Sequence, residues 1–200
     1  MFKITYSLLD AWEHACGEYS TPESLESFKK TLRKEQTPKT DAMLRGTQFE
    51  ADVTFYAAHG QFQQPAETYT AYEQKAIRAF GDKLRGAVPQ VRATKEMRVM
   101  AMDFRLVGVA DFVKAGVIYD TKRVMRYEYG KYFNSTQHPM YFELFPEARE
   151  FTYLIFNGQD ALEETYRRSD TIPAELAIGR FIRDMRGIGE LETYKKYWRV

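Results

Sequence analysis

Cysteine is all but missing from this chain. Cys16 is the single thiol in 200 residues, which excludes an intrachain disulfide and any metal cluster held by the cysteines of one chain alone. Histidine is scarce too: His14, His59 and His138 are the whole supply, and no two have the spacing of paired metal ligands. No apolar run is long enough to span a bilayer. Met1 leads within a few residues into a polar segment with Asp10, Glu13 and His14, unlike a signal peptide. A reducing, cytosol-like compartment with no membrane partner is the expectation. Excess charge of one sign is also lacking, because 29 Lys and Arg against 28 Asp and Glu leave a formal net charge of +1. Proteins that coat nucleic acid are usually far more basic.

What is present describes a packed domain. A hydrophobic share of 44% with 14 Tyr and 14 Phe excludes a disordered chain, and 200 residues suffice to bury one core. Without a linker, repeat or low-complexity tract, residues 1–200 are expected to form one domain, with N-terminal helices over 1–40, a core over 41–170 and C-terminal helices over 171–200. The near-neutral total hides an uneven distribution. Lys29, Lys30, Arg33, Lys34, Lys39 and Arg45 precede Glu50, and Lys122, Arg123, Arg126 and Lys131 form a second set. Arg180, Arg183, Arg186, Lys195, Lys196 and Arg199 close the chain, after an acidic interval running from Glu143 to Glu164. Basic segments flanking an acidic site suit a grip on DNA phosphates around a metal centre; any one cluster taken alone is more simply a solvated helix face.

The first half reads as helical. Leu8, Leu9 and Trp12 share a face in a segment ending near Gly17, and Ser20-Thr21-Pro22-Glu23 starts a second helix that continues through Leu25, Phe28 and Leu32. After Thr37-Pro38, a longer helix with Met43, Phe49, Val53 and Tyr56 stops at Gly60; another follows Pro65, with Tyr69, Tyr72, Ile77, Phe80 and Leu84, and stops at Gly86. The period then becomes alternating, predicting antiparallel strands over about 91–102, 104–113 and 117–124 with turns near Asp103 and at Lys114-Ala115-Gly116. An aromatic loop through Tyr127, Tyr129, Tyr132 and Phe133 leads to a helix from about Ser135 with Pro139 in its first turn. Phe151–Phe156 pairs with 161–167 across Asn157-Gly158, and two C-terminal helices follow. The expected class is α+β, a small mixed sheet with an antiparallel hairpin flanked by helices.

Chemistry concentrates at Gly108-Val109-Ala110-Asp111 and Asp120-Thr121-Lys122. In a strand Asp120 and Lys122 share one face, and the hairpin can set Asp111 beside Asp120. Two facing carboxylates are unfavourable unless a cation lies between them, and carboxylates without sulfur or imidazole suit Mg²⁺ or Mn²⁺. The bland alternative is a pair of surface aspartates with Lys122 in a salt bridge. Glu50 joins them if Gly46, one turn earlier on its helix, lets that helix approach the sheet; otherwise Glu50 is solvated. Gln137 and Tyr141 are another one-turn pair able to donate hydrogen bonds to a phosphate or to a carboxylate. His14 and His59 read as structural or surface residues, His138 as the one histidine able to reach DNA, and the loop from Tyr127 to Phe133 as packing or a stacking surface for unpaired bases.

The ordered set Gly46-Thr47-Gln48-Phe49-Glu50, Gly108-Val109-Ala110-Asp111, Asp120-Thr121-Lys122 and Gln137-His138-Pro139-Met140-Tyr141 resembles the PD-(D/E)XK nuclease superfamily, in particular its RecB-like exonuclease branch with phage recombination and CRISPR-adaptation nucleases. The segment Ser7–Cys16 resembles that branch's N-terminal helix more weakly. The resemblance implies a restriction-endonuclease-like core in which Glu50, Asp111, Asp120 and Lys122 are catalytic. Glu50, Asp111, Asp120 and the Thr121 backbone carbonyl would hold Mg²⁺ or Mn²⁺, while Gln137 and Tyr141 hold DNA or support the lysine. Arg45, Arg123 and Arg126 would grip DNA. The sequence departs from the family in having Ala110 where a proline is common, and the four-cysteine iron–sulfur cluster of some relatives is excluded by Cys16 standing alone. The expected function is metal-dependent hydrolysis of DNA, single- or double-stranded, by an exonuclease of phage or bacterial recombination, repair or replication. It would act in the cytoplasm of a bacterium or phage-infected host, with a recombination or annealing protein as a further partner. The alternatives are a nuclease-fold protein that binds DNA or a protein without cutting, and a helical interaction module in which Glu50, Asp111 and Asp120 do not converge.

Overall fold

The computed structural model describes residues 1–17 and 20–200. Its elements, in chain order, are β1 (Phe2–Thr5), α1 (Tyr6–Cys16), α2 (Pro22–Leu32), α3 (Asp41–His59), α4 (Ala71–Leu84), β2 (Val88–Val99), β3 (Met102–Lys114), β4 (Val117–Arg123), α5 (Gln137–Leu144), β5 (Glu150–Phe156), β6 (Ala161–Arg167), α6 (Ala174–Gly187) and α7 (Leu191–Tyr197). The class is α+β. A mixed six-stranded sheet has the order β1-β3-β4-β5-β6, with β2 on the other edge of β3. β1 with β3 and β4 with β5 are parallel, and the remaining pairs are antiparallel. No described helix is long and apolar enough to cross a membrane.

The helices begin where local chemistry says they should. Thr21 caps α2 by accepting from Ser24 N, with Pro22 in the first turn and Ser24 answering back to the Thr21 N–H. Thr40 caps α3 by accepting from Met43 N, and Gly60 ends it at φ +71°. Thr70 and Glu73 form a reciprocal box at the start of α4. That box splits the helix expected after Pro65: a single 3₁₀ turn, Ala66–Thr68, comes first, and Tyr69 lies between the two pieces.

Three cores hold the sheet. One packs α1, α2, α6 and α7 around β1 and the near half of β3, through Leu8, Phe28, Phe104, Phe181 and Tyr194 among others. A second presses α3 and α4 on one face through Phe49, Val53, Ile77, Phe80, Phe112 and Phe156. The third lies on the opposite face under α5, with Tyr141, Phe142, Phe151 and Tyr153. β5 is buried along six of its seven residues, as expected of a strand covered on both faces.

Three local expectations are corrected. β1 is a strand where a helix was expected to take over almost at once; four residues with only Ile4 fully buried carry too little alternation to announce it. The first hairpin turns at Met100 and Ala101, both at positive φ, rather than near Asp103, and Val99 pairs with Met102 across it. Met43 does not join the core and is 57% exposed.

Candidate active site at a strand fork

β3 changes partners halfway along. One edge runs against β2. On the other, Phe104–Val107 pair with β1 and Phe112–Lys114 pair with β4, which leaves 108–111 without a strand partner on that edge among the described residues. Beyond Tyr119, β4 leaves β3 and continues beside β5, with Asp120 opposite Tyr153 and Lys122 opposite Ile155. The two strands fork, and Asp111 and Asp120, next in register after Phe112 and Tyr119, sit where they separate.

Side chains satisfy the backbone groups that the fork strands. The Tyr141 hydroxyl donates to the Val109 carbonyl at 2.7 Å, and the Thr121 N–H donates to Asp111 Oδ2 at 3.1 Å. α5 comes this close because Gly108 has no side chain: a Cβ there would stand 2.6 Å from Leu144 Cδ1 and 3.4 Å from Tyr141 Cζ. Gly46, expected to provide the close approach, has open space around its Cβ position. Glu50 is instead placed by its neighbour Phe49, which stacks on Phe156 at 5.2 Å between ring centroids and meets Phe80 edge-on at 6.2 Å. That aromatic clamp fixes the turn of α3 from which Glu50 projects.

On the β2 side the ladder breaks at one residue. Pro89 pairs with Phe112 and Val91 with Ala110, while Gln90, opposite Asp111, is out of the ladder at φ +51°. A bulky residue in left-handed backbone costs on the order of 1–2 kcal/mol and persists where its surroundings hold it. Here Gln90 Nε2 donates to Glu50 Oε1 at 3.0 Å. Nothing in the linear sequence marks Gln90, because its strain appears only once β2 is laid against the fork.

Glu50, Asp111 and Asp120 therefore converge from three elements. Burial, then the nearby Asp120 and Glu50 charges, push the Asp111 carboxyl up to about 8. Glu50 is also raised, by burial and by Asp120. Asp120 is 6% exposed; Gln137 Nε2 donates to its Oδ1, and Lys122 Nζ lies 2.8 Å from Oδ2. Burial opposes the Lys122 ammonium, but the charge of Asp120 beside it outweighs burial and holds that ammonium above the ordinary lysine value. The salt bridge of the bland alternative thus exists, on a buried carboxylate rather than a surface one.

Do these residues suit a divalent ion? Three carboxylates share a partly buried space with one ammonium, a donor set of hard oxygens. Asp120 Oδ2, despite its ion pair, lacks a well-directed hydrogen bond, and the Thr121 Oγ1 and Gln137 Oε1 atoms are buried without partners. Each carboxylate is turned to a different protein donor, and among the described residues no three acidic, His or Cys side chains are closed to a finished ligand cage. The donor chemistry fits a cation; the side chains would have to turn inward to grip it.

Other expected site residues fall elsewhere. Gln137 and Tyr141 are 3% and 7% exposed and lie under the site, so they brace Asp120 and β3 instead of touching DNA. Arg123 points to the opposite face of β4 from Lys122 and pairs with Glu73 at 3.1 Å. With Arg45 it lines a separate cavity of about 370 Å³ against α3 and α4. Arg45 and Arg126 are exposed. His138 is buried, stacked on Tyr166 at 4.3 Å, and held neutral by burial, which lowers it to about 4, so it does not reach DNA. In the aromatic loop Tyr132 packs on Tyr153 and Tyr127 donates to the buried Glu164, while Tyr129 and Phe133 are 85% and 67% exposed.

No protein-family model matches this chain, and no curated protein matches it. Among solved structures it is similar to the crystal structure of SSO0001, at 14% identity and a TM-score of 0.51, over 94% of this chain and 77% of that one. At that identity the likeness speaks for the α+β fold alone.

Proposed function

We propose that this protein is a Mg²⁺- or Mn²⁺-dependent deoxyribonuclease of the PD-(D/E)XK type, an exonuclease of the RecB-like branch. It would work on DNA in the cytoplasm during phage or bacterial recombination, repair or replication, beside a recombination or annealing protein. The observation that supports this reading is the meeting of Glu50, Asp111, Asp120 and Lys122 at one fork, with Asp111 pushed up to about 8 by burial first and then by its acidic neighbours. A cluster of this sort stores unfavourable charge that a cation would relieve.

In the mechanism, Glu50, Asp111 and Asp120 would hold the ion, with Thr121 contributing from β4. When bound, the ion supplies Lewis-acid polarisation of the scissile phosphate and acidifies a water. Lys122 orients the attacking water and stabilises the charge developing on phosphate. Gln137 fixes the Asp120 carboxylate from below, Gln90 fixes Glu50, and Tyr141 keeps the fork open by occupying the Val109 carbonyl. Attack is in line and leaves no covalent intermediate on the protein.

A second reading, a binding protein that does not cut, is favoured by the protein's own donors already answering the carboxylates, above all Lys122 on Asp120. Incubation of end-labelled linear duplex beside a covalently closed circle, with Mn²⁺ or Mg²⁺ against EDTA, separates the readings. Metal-dependent loss of the linear DNA alone, abolished in Asp120→Ala, is the expected result. Cutting of the circle would make the enzyme an endonuclease, and intact DNA of every form would leave the binding reading standing.

A further inference from the structure

A cavity of about 690 Å³ lies beside the fork, between α1, the irregular segment 124–136 and α6. Tyr6 and Tyr132 line it, and both also belong to the surroundings of the carboxylates. Lys122 Nζ stands 5.8 Å from the centre of the Tyr6 ring. Tyr132 stacks on Tyr153 with ring centroids 4.3 Å apart and 19° between planes, and Tyr153 is the β5 partner of Asp120. A strand whose phosphate lay at Lys122 would have this cavity directly next to it.

The lining combines two chemistries. Lys131, Arg180 and Arg183 are exposed cations able to bind phosphate oxygens. Asp10, Glu13 and Asp184 bring carboxylates, but the protein's own donors already temper them. The Tyr6 hydroxyl donates to Asp10 at 3.0 Å, Trp12 Nε1 to Asp184 at 3.0 Å, and the Thr136 N–H and hydroxyl to Glu13 at 3.1 Å each. Burial also pushes Glu13 up to about 7, against the Thr136 hydrogen bonds that favour its charged form. Aromatic faces, cations for phosphate and acceptors for exocyclic amino groups are the groups that recognise an unpaired nucleotide. The volume lies within the range of about 300–1,000 Å³ usual for small-ligand sites. A blunt duplex end keeps its bases paired, so their Watson–Crick edges are engaged and are not free to meet these acceptors.

We propose that this cavity receives the unpaired end of a nucleic-acid strand, so that the substrate class is a single strand or a frayed end rather than a blunt duplex. Where cutting then occurs rests on the nuclease reading; the binding itself does not. A free mononucleotide shares the same chemistry, and the strand is preferred because the cavity adjoins the fork, where a continuing backbone would run.

The test is fluorescence anisotropy of the full chain in EDTA with labelled oligonucleotides of about 12 nucleotides, within the usual span of such sites. Single strand and overhang are expected to bind at least about tenfold more tightly than blunt duplex. The double variant Arg180→Ala, Arg183→Ala is expected to weaken strand binding about tenfold, and Tyr132→Ala by a similar factor while Tyr132→Phe retains it. Because Tyr132 packs on Tyr153, its variants are compared only after their circular dichroism and melting match the parent; the arginine pair is exposed and reports independently. Deoxy and ribo oligomers tell which sugar is accepted, and preference for either over duplex supports the proposal. Equal binding of blunt duplex, undiminished binding by the arginine variant, no strand binding, or stronger competition by mononucleotide than by strand would each overturn it. With no divalent ion present, these results stand or fall separately from the cleavage assay.

Discussion

Replacing Asp111 with Asn should make the metal-free protein more stable at neutral pH. A carboxyl that ionises near 4 in the unfolded chain is pushed up to about 8 in the fold by burial, Asp120 and Glu50. The folded state therefore binds a proton that the unfolded state has released, and stability falls as pH rises between these values. Below about pH 4 both states are protonated and the penalty vanishes; above about pH 8 it is complete. At about 1.36 kcal/mol per pH unit the ceiling is about 5 kcal/mol. Asp111 is only half-buried, so solvent screens much of this, and a gain on the order of 2 kcal/mol is the working figure. In a chain of this size that corresponds to a rise in Tm of roughly 4–8 °C. The asparagine is isosteric, and its oxygen still accepts the Thr121 N–H that Asp111 accepts at 3.1 Å. The assay is thermal unfolding of both proteins in EDTA from acid to mildly alkaline pH, repeated with Mn²⁺. The difference should grow with pH and shrink or reverse with Mn²⁺, which only the parent binds well. A variant less stable than the parent at neutral pH in EDTA, or a difference flat with pH, would refute the reasoning.

Four further outcomes follow from the same geometry. Lys122→Ala should lose cleavage while melting as a folded protein, and full-rate cutting would remove the lysine from the mechanism. Gly108→Ala drives a Cβ to 2.6 Å from Leu144 and should cost about 1–3 kcal/mol in chemical denaturation; an unchanged midpoint would show that α5 can yield. Gln90→Gly relieves the positive φ of +51° and should leave stability level or raise it by about 1 kcal/mol while lowering activity, because Glu50 loses its donor; a simultaneous loss of stability would show the left-handed backbone is not strained. Phe49→Ala removes the ring stacked on Phe156 at 5.2 Å and should cost about 3–5 kcal/mol by denaturant unfolding, and a small loss would show that the aromatic clamp does not anchor α3.

Much of this architecture is legible in sequence because local chemistry writes it. Thr21-Pro22 starts α2, Gly60 ends α3, and Asn157-Gly158 separates β5 from β6, each through caps or turns acting within a few residues. Of the candidate site, the nearness of Asp111 to Asp120 follows from their places just past the last hairpin pair, Phe112 with Tyr119, and the ion pair with Lys122 from strand alternation. What was illegible is non-local. β1 is defined by parallel pairing with residues a hundred positions away, and Gln90 by strain that exists only against the fork. Gly46 and Gly108 look alike as letters, yet only Gly108 has a helix packed against it. Likewise Arg123 and Arg126 read as one basic cluster, although the opposite face of β4 gives Arg123 to Glu73.

We propose the fork of β3 and β4 as a divalent-cation site. Titration of Mn²⁺ into the parent and Asp120→Ala, followed calorimetrically with the loss of free Mn²⁺ electron paramagnetic resonance as a second readout, tests it directly. Saturable binding by the parent, lost in a variant that remains folded, is the expected result. Equal binding by both proteins, or none by the parent, would contradict it.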